Sequence, residues 1–134
     1  MPTQILSALA LSLLYSCATL TDVIQTKQGG GGTWQVYNLR PDVAYGIARD
    51  VLRSEGADAI EEHPAEGYML TSTGNNGVSA GCFVGVWIEP QPPAPYTKVT
   101  VVTKRKQSLN AITGLTEETF QRDFATAVAR ITPR

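Results

Sequence analysis

Cys82-Phe-Val-Gly-Val-Trp-Ile88 and Tyr96-Thr-Lys-Val-Thr-Val-Val-Thr103, with Pro90-Gln-Pro-Pro-Ala-Pro95 between them, are the stretch that decides the fold. β-Branched and aromatic residues dominate both runs, the composition that packs on a pleated, half-buried surface. The first run lies in a strand expected over Ser79–Glu89 and is the most apolar part of the chain after its N-terminus. The prolines cannot donate to a sheet ladder, so they break the sheet and act as a stiff hairpin connection. The other use of such a stretch is as a polyproline II docking ligand.

Outward from this pair the pattern stays regular. Toward the N-terminus, Gly74-Asn-Asn-Gly77 supplies a hairpin dipeptide in Asn76-Gly77. Before it, Gly67-Tyr-Met-Leu-Thr-Ser72 pairs with a weaker strand over Ala57–Glu62 through the turn Pro64-Ala-Glu-Gly67. Farther out, Trp34-Gln-Val-Tyr-Asn-Leu39 reads as a strand. Pro41 then opens a helix whose Val43, Ile47 and Val51 form one apolar line, with Ala44, Ala48 and Leu52 beside it and Gly56 as the stop. Toward the C-terminus a polar loop, Lys104–Gly114, leads to Thr116 as N-cap with Glu117 and Glu118 in the first turn. Phe120, Phe124, Val128 and Ile131 make one helix face, and Pro133 ends it. The order β-α-β-β-β-β-α predicts a single small α+β domain over residues 34–134. An antiparallel sheet with two helices on one face is the simplest way to bury two single-sided helices.

Composition narrows the function classes. In 134 residues, 43% are hydrophobic and 17% charged, which fits one globular domain with a core of its own. A net charge of −1 gives no global electrostatic case for nucleic acid, so no nucleic-acid partner is expected. One His and two Cys do not close a zinc shell, and no cofactor motif is present, so no metal and no cofactor are expected.

The N-terminus carries a different message. Ile5–Tyr15 is apolar, too short to span a bilayer and matched to the h-region of a secretory signal. It ends in Leu14-Tyr15-Ser16-Cys17, which resembles the lipobox of bacterial lipoproteins. That resemblance implies a signal peptide over residues 1–16 and lipidation (palmitate included) of Cys17 as the mature N-terminus. With Ala18 next, it also implies an outer-membrane destination facing the periplasm. A short buried helix with Cys17 as a small hydrophobe is the alternative. Residues 17–33 carry little periodic apolar signal and end in Gly29-Gly30-Gly31-Gly32, so they read as a flexible tether of roughly 20 Å reach. The element order together with a lipid anchor resembles the helix-grip domains of small envelope lipoproteins such as BamC. This resemblance implies a binding or assembly role without catalysis.

Constellations that could carry chemistry are few. Gly77-Val-Ser79-Ala-Gly81 matches the G-x-S-x-G pattern, but a strand follows it where the nucleophile elbow needs a helix, and His63 precedes Ser79. Cys82 with His63 is the other nucleophile–base pair by residue type. The carboxylates Glu55, Asp58, Glu61, Glu62 and Glu66 and the bases Lys98, Lys104, Arg105 and Lys106 read by default as solvated surface, while Lys104-Arg105-Lys106 opens a loop that suits headgroups or an acidic partner. The expectation is a lipid-anchored envelope protein with no catalytic residues, its partners the membrane and another envelope protein. The alternative is a small apolar-ligand or glycan-binding domain with a pocket lined by Trp87, Phe120 and Phe124. A hydrolase using Ser79 or Cys82 comes third.

Overall fold

The computed structural model describes residues 19–57, 59–73, 81–105 and 115–131. The two strands that open the sequence argument are β4 (Cys82–Pro90) and β5 (Tyr96–Arg105), paired antiparallel from Cys82 opposite Arg105 to Pro90 opposite Thr97. The proline stretch between them closes as a hairpin connection, with Gln91 N–H donating to the Tyr96 carbonyl at 2.9 Å. Around this pair stand β1 (Thr33–Asn38), β2 (Ile60–His63) and β3 (Tyr68–Thr73), in the antiparallel order β1-β5-β4-β3-β2. The fold is α+β, as the element order predicts, and β1 and β2 form its two edges.

Alternation along β4 gives the sheet two apolar faces. Cys82, Val84, Val86 and Ile88 point into the main core with Met69, Val99 and Val101. Two helices, α2 (Pro41–Ser54) and α3 (Glu117–Ile131), cover that face. Pro41 sits in the first turn of α2, where its missing N–H costs nothing, and Gly56 takes φ of 92° just beyond the helix end. Helix α3 contributes Phe120 and Phe124, both fully buried, and Phe124 lies 4.7 Å from the Tyr37 ring of β1.

The other face corrects the expectation of a flexible tether over 17–33. Residues Leu20–Gln28 form a helix, α1, that lies against the sheet. Thr19 caps it through a capping box: its hydroxyl accepts from Asp22 N–H, and its own N–H donates to the Asp22 carboxylate at 2.7 Å. Val23 is fully buried and belongs to a second cluster with Leu70 and Val102, bordered by Leu20, Ile24, Tyr68, Phe83 and Trp87. Gly85 makes this docking possible. A Cβ there would stand 2.7 Å from Val23 Cγ1 and 2.5 Å from Trp87 Cζ3, so the absent side chain is the notch in which helix and ring meet. A nine-residue helix is marginal alone; here a cap and a packed face hold it.

Buried polar groups sew α3 to β1 and β5. The Gln121 amide donates to the carbonyls of Thr33 and Val99, each at 3.1 Å, and accepts from the Tyr37 hydroxyl at 2.9 Å. Glu117 accepts from the Thr33 hydroxyl at 2.6 Å and from Thr103 N–H at 3.1 Å.

Candidate functional site

The two edges of the sheet are built differently. Strand β2 is four residues long and carries Glu61, Glu62 and His63. Glu62 is paired with Arg49 at 2.8 Å, and Glu61 lies 2.7 Å from His63 Nε2. Short length and charge are the ordinary means of keeping an edge from pairing with foreign strands. Strand β1 reads Thr-Trp-Gln-Val-Tyr-Asn, six residues with no charge and no proline. Its alternate side chains Trp34 and Val36 stand on the α1 face of the sheet yet beyond the helix, 55% and 42% exposed. Tyr96 of β5, opposite Asn38, extends the same patch at 41% exposure. Lys98 Nζ sits 4.7 Å from the centre of the Trp34 ring, so the patch carries one cation over its largest aromatic surface.

A row of side chains crosses the whole sheet on this face. Register places His63 opposite Tyr68, Tyr68 opposite Trp87, Trp87 opposite Thr100, and Thr100 opposite Trp34. His63 and Tyr68 stack at 4.4 Å, Tyr68 and Trp87 at 5.9 Å, and Lys27 of α1 lies 5.7 Å from the Trp87 ring while pairing with Glu89 at 3.3 Å. A crevice of about 260 Å³ opens beside the row, lined by Ile24, Lys27, Gln28, Tyr68 and Trp87.

Several residues singled out from sequence fall elsewhere. Cys17, Ser79, Asp58, Lys106 and the Asn76-Gly77 dipeptide lie outside the described residues. Cys82 is 1% exposed, its sulfur 3.4 Å from the Thr73 hydroxyl and 3.6 Å from the Leu115 carbonyl. His63 pairs with Tyr68 at one end of β3 and Cys82 with Thr73 at the other. Five residues of strand separate them, about 17 Å, far beyond proton-transfer reach. A single pocket lined by Trp87, Phe120 and Phe124 is not formed, because Trp87 stands on the α1 face and the two phenylalanines are packed in the core on the opposite face.

One carboxylate pair is brought together. Glu55, at the C-terminus of α2, meets Asp123 of α3; a hydrogen bond to Asp123, with partial burial, pushes the Glu55 carboxyl up to about 7 and holds Asp123 below its usual range. Below about pH 7 Glu55 is protonated and donates to the Asp123 carboxylate. Among the described residues no three of His, Cys, Asp or Glu gather to hold a metal ion. No helix of the described residues is long and apolar enough to cross a membrane.

Sequence reasoning missed the β1 patch and α1. The signal for the first was the absence of charge between Thr33 and Leu39; for the second it was the Thr19-x-x-Asp22 spacing of a capping box. Comparison with protein-family models, curated proteins and solved structures gives no match to this chain.

Proposed function

We propose that this chain is a non-catalytic bacterial envelope lipoprotein, anchored through Cys17 in the outer membrane and facing the periplasm, whose domain binds an extended segment of a partner protein along β1. The uncharged β1 edge carries the reading, because the same sheet guards its other edge with Glu61 and Glu62. Strand addition there would supply main-chain hydrogen bonds of about 1 kcal/mol each. Trp34 and Val36 would supply the selectivity, since alternate side chains of an added strand meet them on one face.

A photo-crosslinking residue placed at Gln35, and separately at Glu62, tests this in cells making the full-length chain. The reading expects one discrete protein adduct from position 35 that disappears when Val36 is replaced by lysine, and none from position 62. Equal diffuse labelling from both positions would refute it. Labelled palmitate incorporated by wild type and lost in Cys17→Ala tests the anchor separately.

A second reading, a small apolar or glycan ligand held between α1 and the sheet, is favoured by the crevice at Tyr68 and Trp87. Its test is ligand-dependent Trp87 fluorescence that survives Trp34→Phe.

A further inference from the structure

We infer that the partner at β1 is a second copy of this chain: two β1 strands pair antiparallel across a twofold axis beside Gln35, joining two sheets into one. The inference rests on the β1 reading above and names the partner. Self-pairing of a strand has few solutions. A twofold axis perpendicular to the sheet keeps each face on its own side, and residues directly opposite one another in a sheet share a face. Within β1, Trp34 and Val36 can then face only Trp34, Val36 or Asn38 of the other copy. Between Thr33 and Asn38 only two such registers pair as many as five residues: Thr33–Tyr37 about Gln35, and Trp34–Asn38 about Val36.

The register about Gln35 is the better matched. It sets Trp34 of each copy opposite Val36 of the other, an aromatic against a β-branched side chain, and Gln35 opposite itself, amide to amide. The register about Val36 sets Trp34 against Asn38 instead. Pairing bonds recur at every second position, so the seam about Gln35 carries about four to six main-chain hydrogen bonds. No like charges meet across it. Strand β1 has no charge, and Lys98, opposite Val36 on β5, stands three strand spacings across and two residues along from its symmetry mate. That is about 16 Å, beyond the screening length. The same operation on β2 would bring Glu61 or Glu62 onto its own copy. Helix α3 leaves the seam open. Phe120 and Phe124 point to the sheet and Asp123 and Ala127 to α2, so its side beyond β1 carries Glu118, Arg122, Ala125 and Ala129, all exposed. Two alanines and one charge of each sign bar nothing. A seam about 20 Å long and two layers deep buries on the order of 1,000 Å² over both copies, which reaches the size of a specific interface.

The test uses the full-length chain, made in bacterial cells as two co-expressed copies with different C-terminal tags and mildly oxidised. Across the proposed axis the two Gln35 Cα atoms lie about 5 Å apart, within disulfide reach. Gln35→Cys should therefore give a disulfide-linked dimer carrying both tags, several-fold stronger than from Glu62→Cys or from Val36→Cys. Wild type sets the background from Cys17 and from Cys82, which is buried. Adding Val36→Lys to Gln35→Cys should abolish the dimer while Tm stays within a few degrees, since Val36 is 42% exposed. Native mass of the purified wild-type chain in detergent should be that of a dimer, and of Val36→Lys that of a monomer. A dimer equally strong from Glu62→Cys, or strongest from Val36→Cys, overturns the pairing about Gln35. A position-35 photo-adduct that holds a different protein, with no two-tag dimer, overturns self-pairing and leaves the β1 reading standing. No adduct of either kind overturns both.

Discussion

Replacing Gly85 with alanine should loosen α1 before it loosens the rest of the domain. The added methyl would lie 2.5 and 2.6 Å from Trp87 Cζ3 and Cη2 and 2.7 Å from Val23 Cγ1, distances that side-chain carbons do not tolerate. Trp87 has little room to yield, since its ring is stacked on Tyr68 and lies beneath Lys27. The helix is the weaker partner. Overpacking of this kind costs about 1–3 kcal/mol, and lifting Val23 out of full burial forfeits about 1.5–3 kcal/mol. Alanine returns about 0.5–1 kcal/mol by restricting the unfolded chain. The net expectation is a loss of about 2 kcal/mol, a Tm lower by about 6–12 °C. Hydrogen exchange locates the damage: amides of Val23–Gln28 should lose roughly thirtyfold in protection, more than those of β4 and β5. A Gly85→Ala protein of unchanged or higher Tm, with α1 as protected as in wild type, would refute the idea that this notch holds the helix.

Three further outcomes follow from groups already described. Gln121→Ala should cost about 2–4 kcal/mol in denaturant unfolding, because it strands two backbone carbonyls and the Tyr37 hydroxyl, whereas Tyr37→Phe removes one bond and should cost about 1 kcal/mol. Glu55 binds its proton more tightly folded, near 7, than unfolded, so its contribution is full below about pH 4.5 and is lost as pH rises toward 7. Discounted for solvent screening this is about 1 kcal/mol, and Glu55→Gln should flatten the stability profile between those pH values. In the folded protein Cys82 should react with a thiol reagent only at the rate of unfolding, as its 1% exposure requires, and should react at once in denaturant.

Long periodic elements were legible in sequence: α2 from its Val43–Ile47–Val51 line, α3 from Phe120, Phe124 and Val128, β5 from its β-branched run. Helix α1 was not. Leu20, Val23 and Ile24 make too short a stripe to register as periodic, and the four glycines after them pull the reading toward a linker. Its stability lies in a contact with Gly85, sixty-two residues away from Val23, and a glycine in a strand carries no mark of what fills its place. Strand β2 begins at Ile60 instead of Ala57, edge boundaries being set by pairing with β3 and not by local preference. The β1 patch was visible as residues but not as a site, because exposure of Trp34 depends on where α1 ends and on β1 being an edge.

The position of β5 also governs when the molecule can assemble. It is the last of the described strands to be made, yet it stands between β1 and β4, so β1 has no partner until residues 96–105 have emerged. At about 5–20 residues per second, the 73 residues from Thr33 to Arg105 take roughly 4–15 s to synthesise. Throughout that time a six-residue uncharged strand bearing Trp34 and Val36 travels unpaired, and six such residues are enough to seed cross-β stacking. A nascent or translocating chain of this topology therefore depends on being kept apart from its own copies until its final strand arrives.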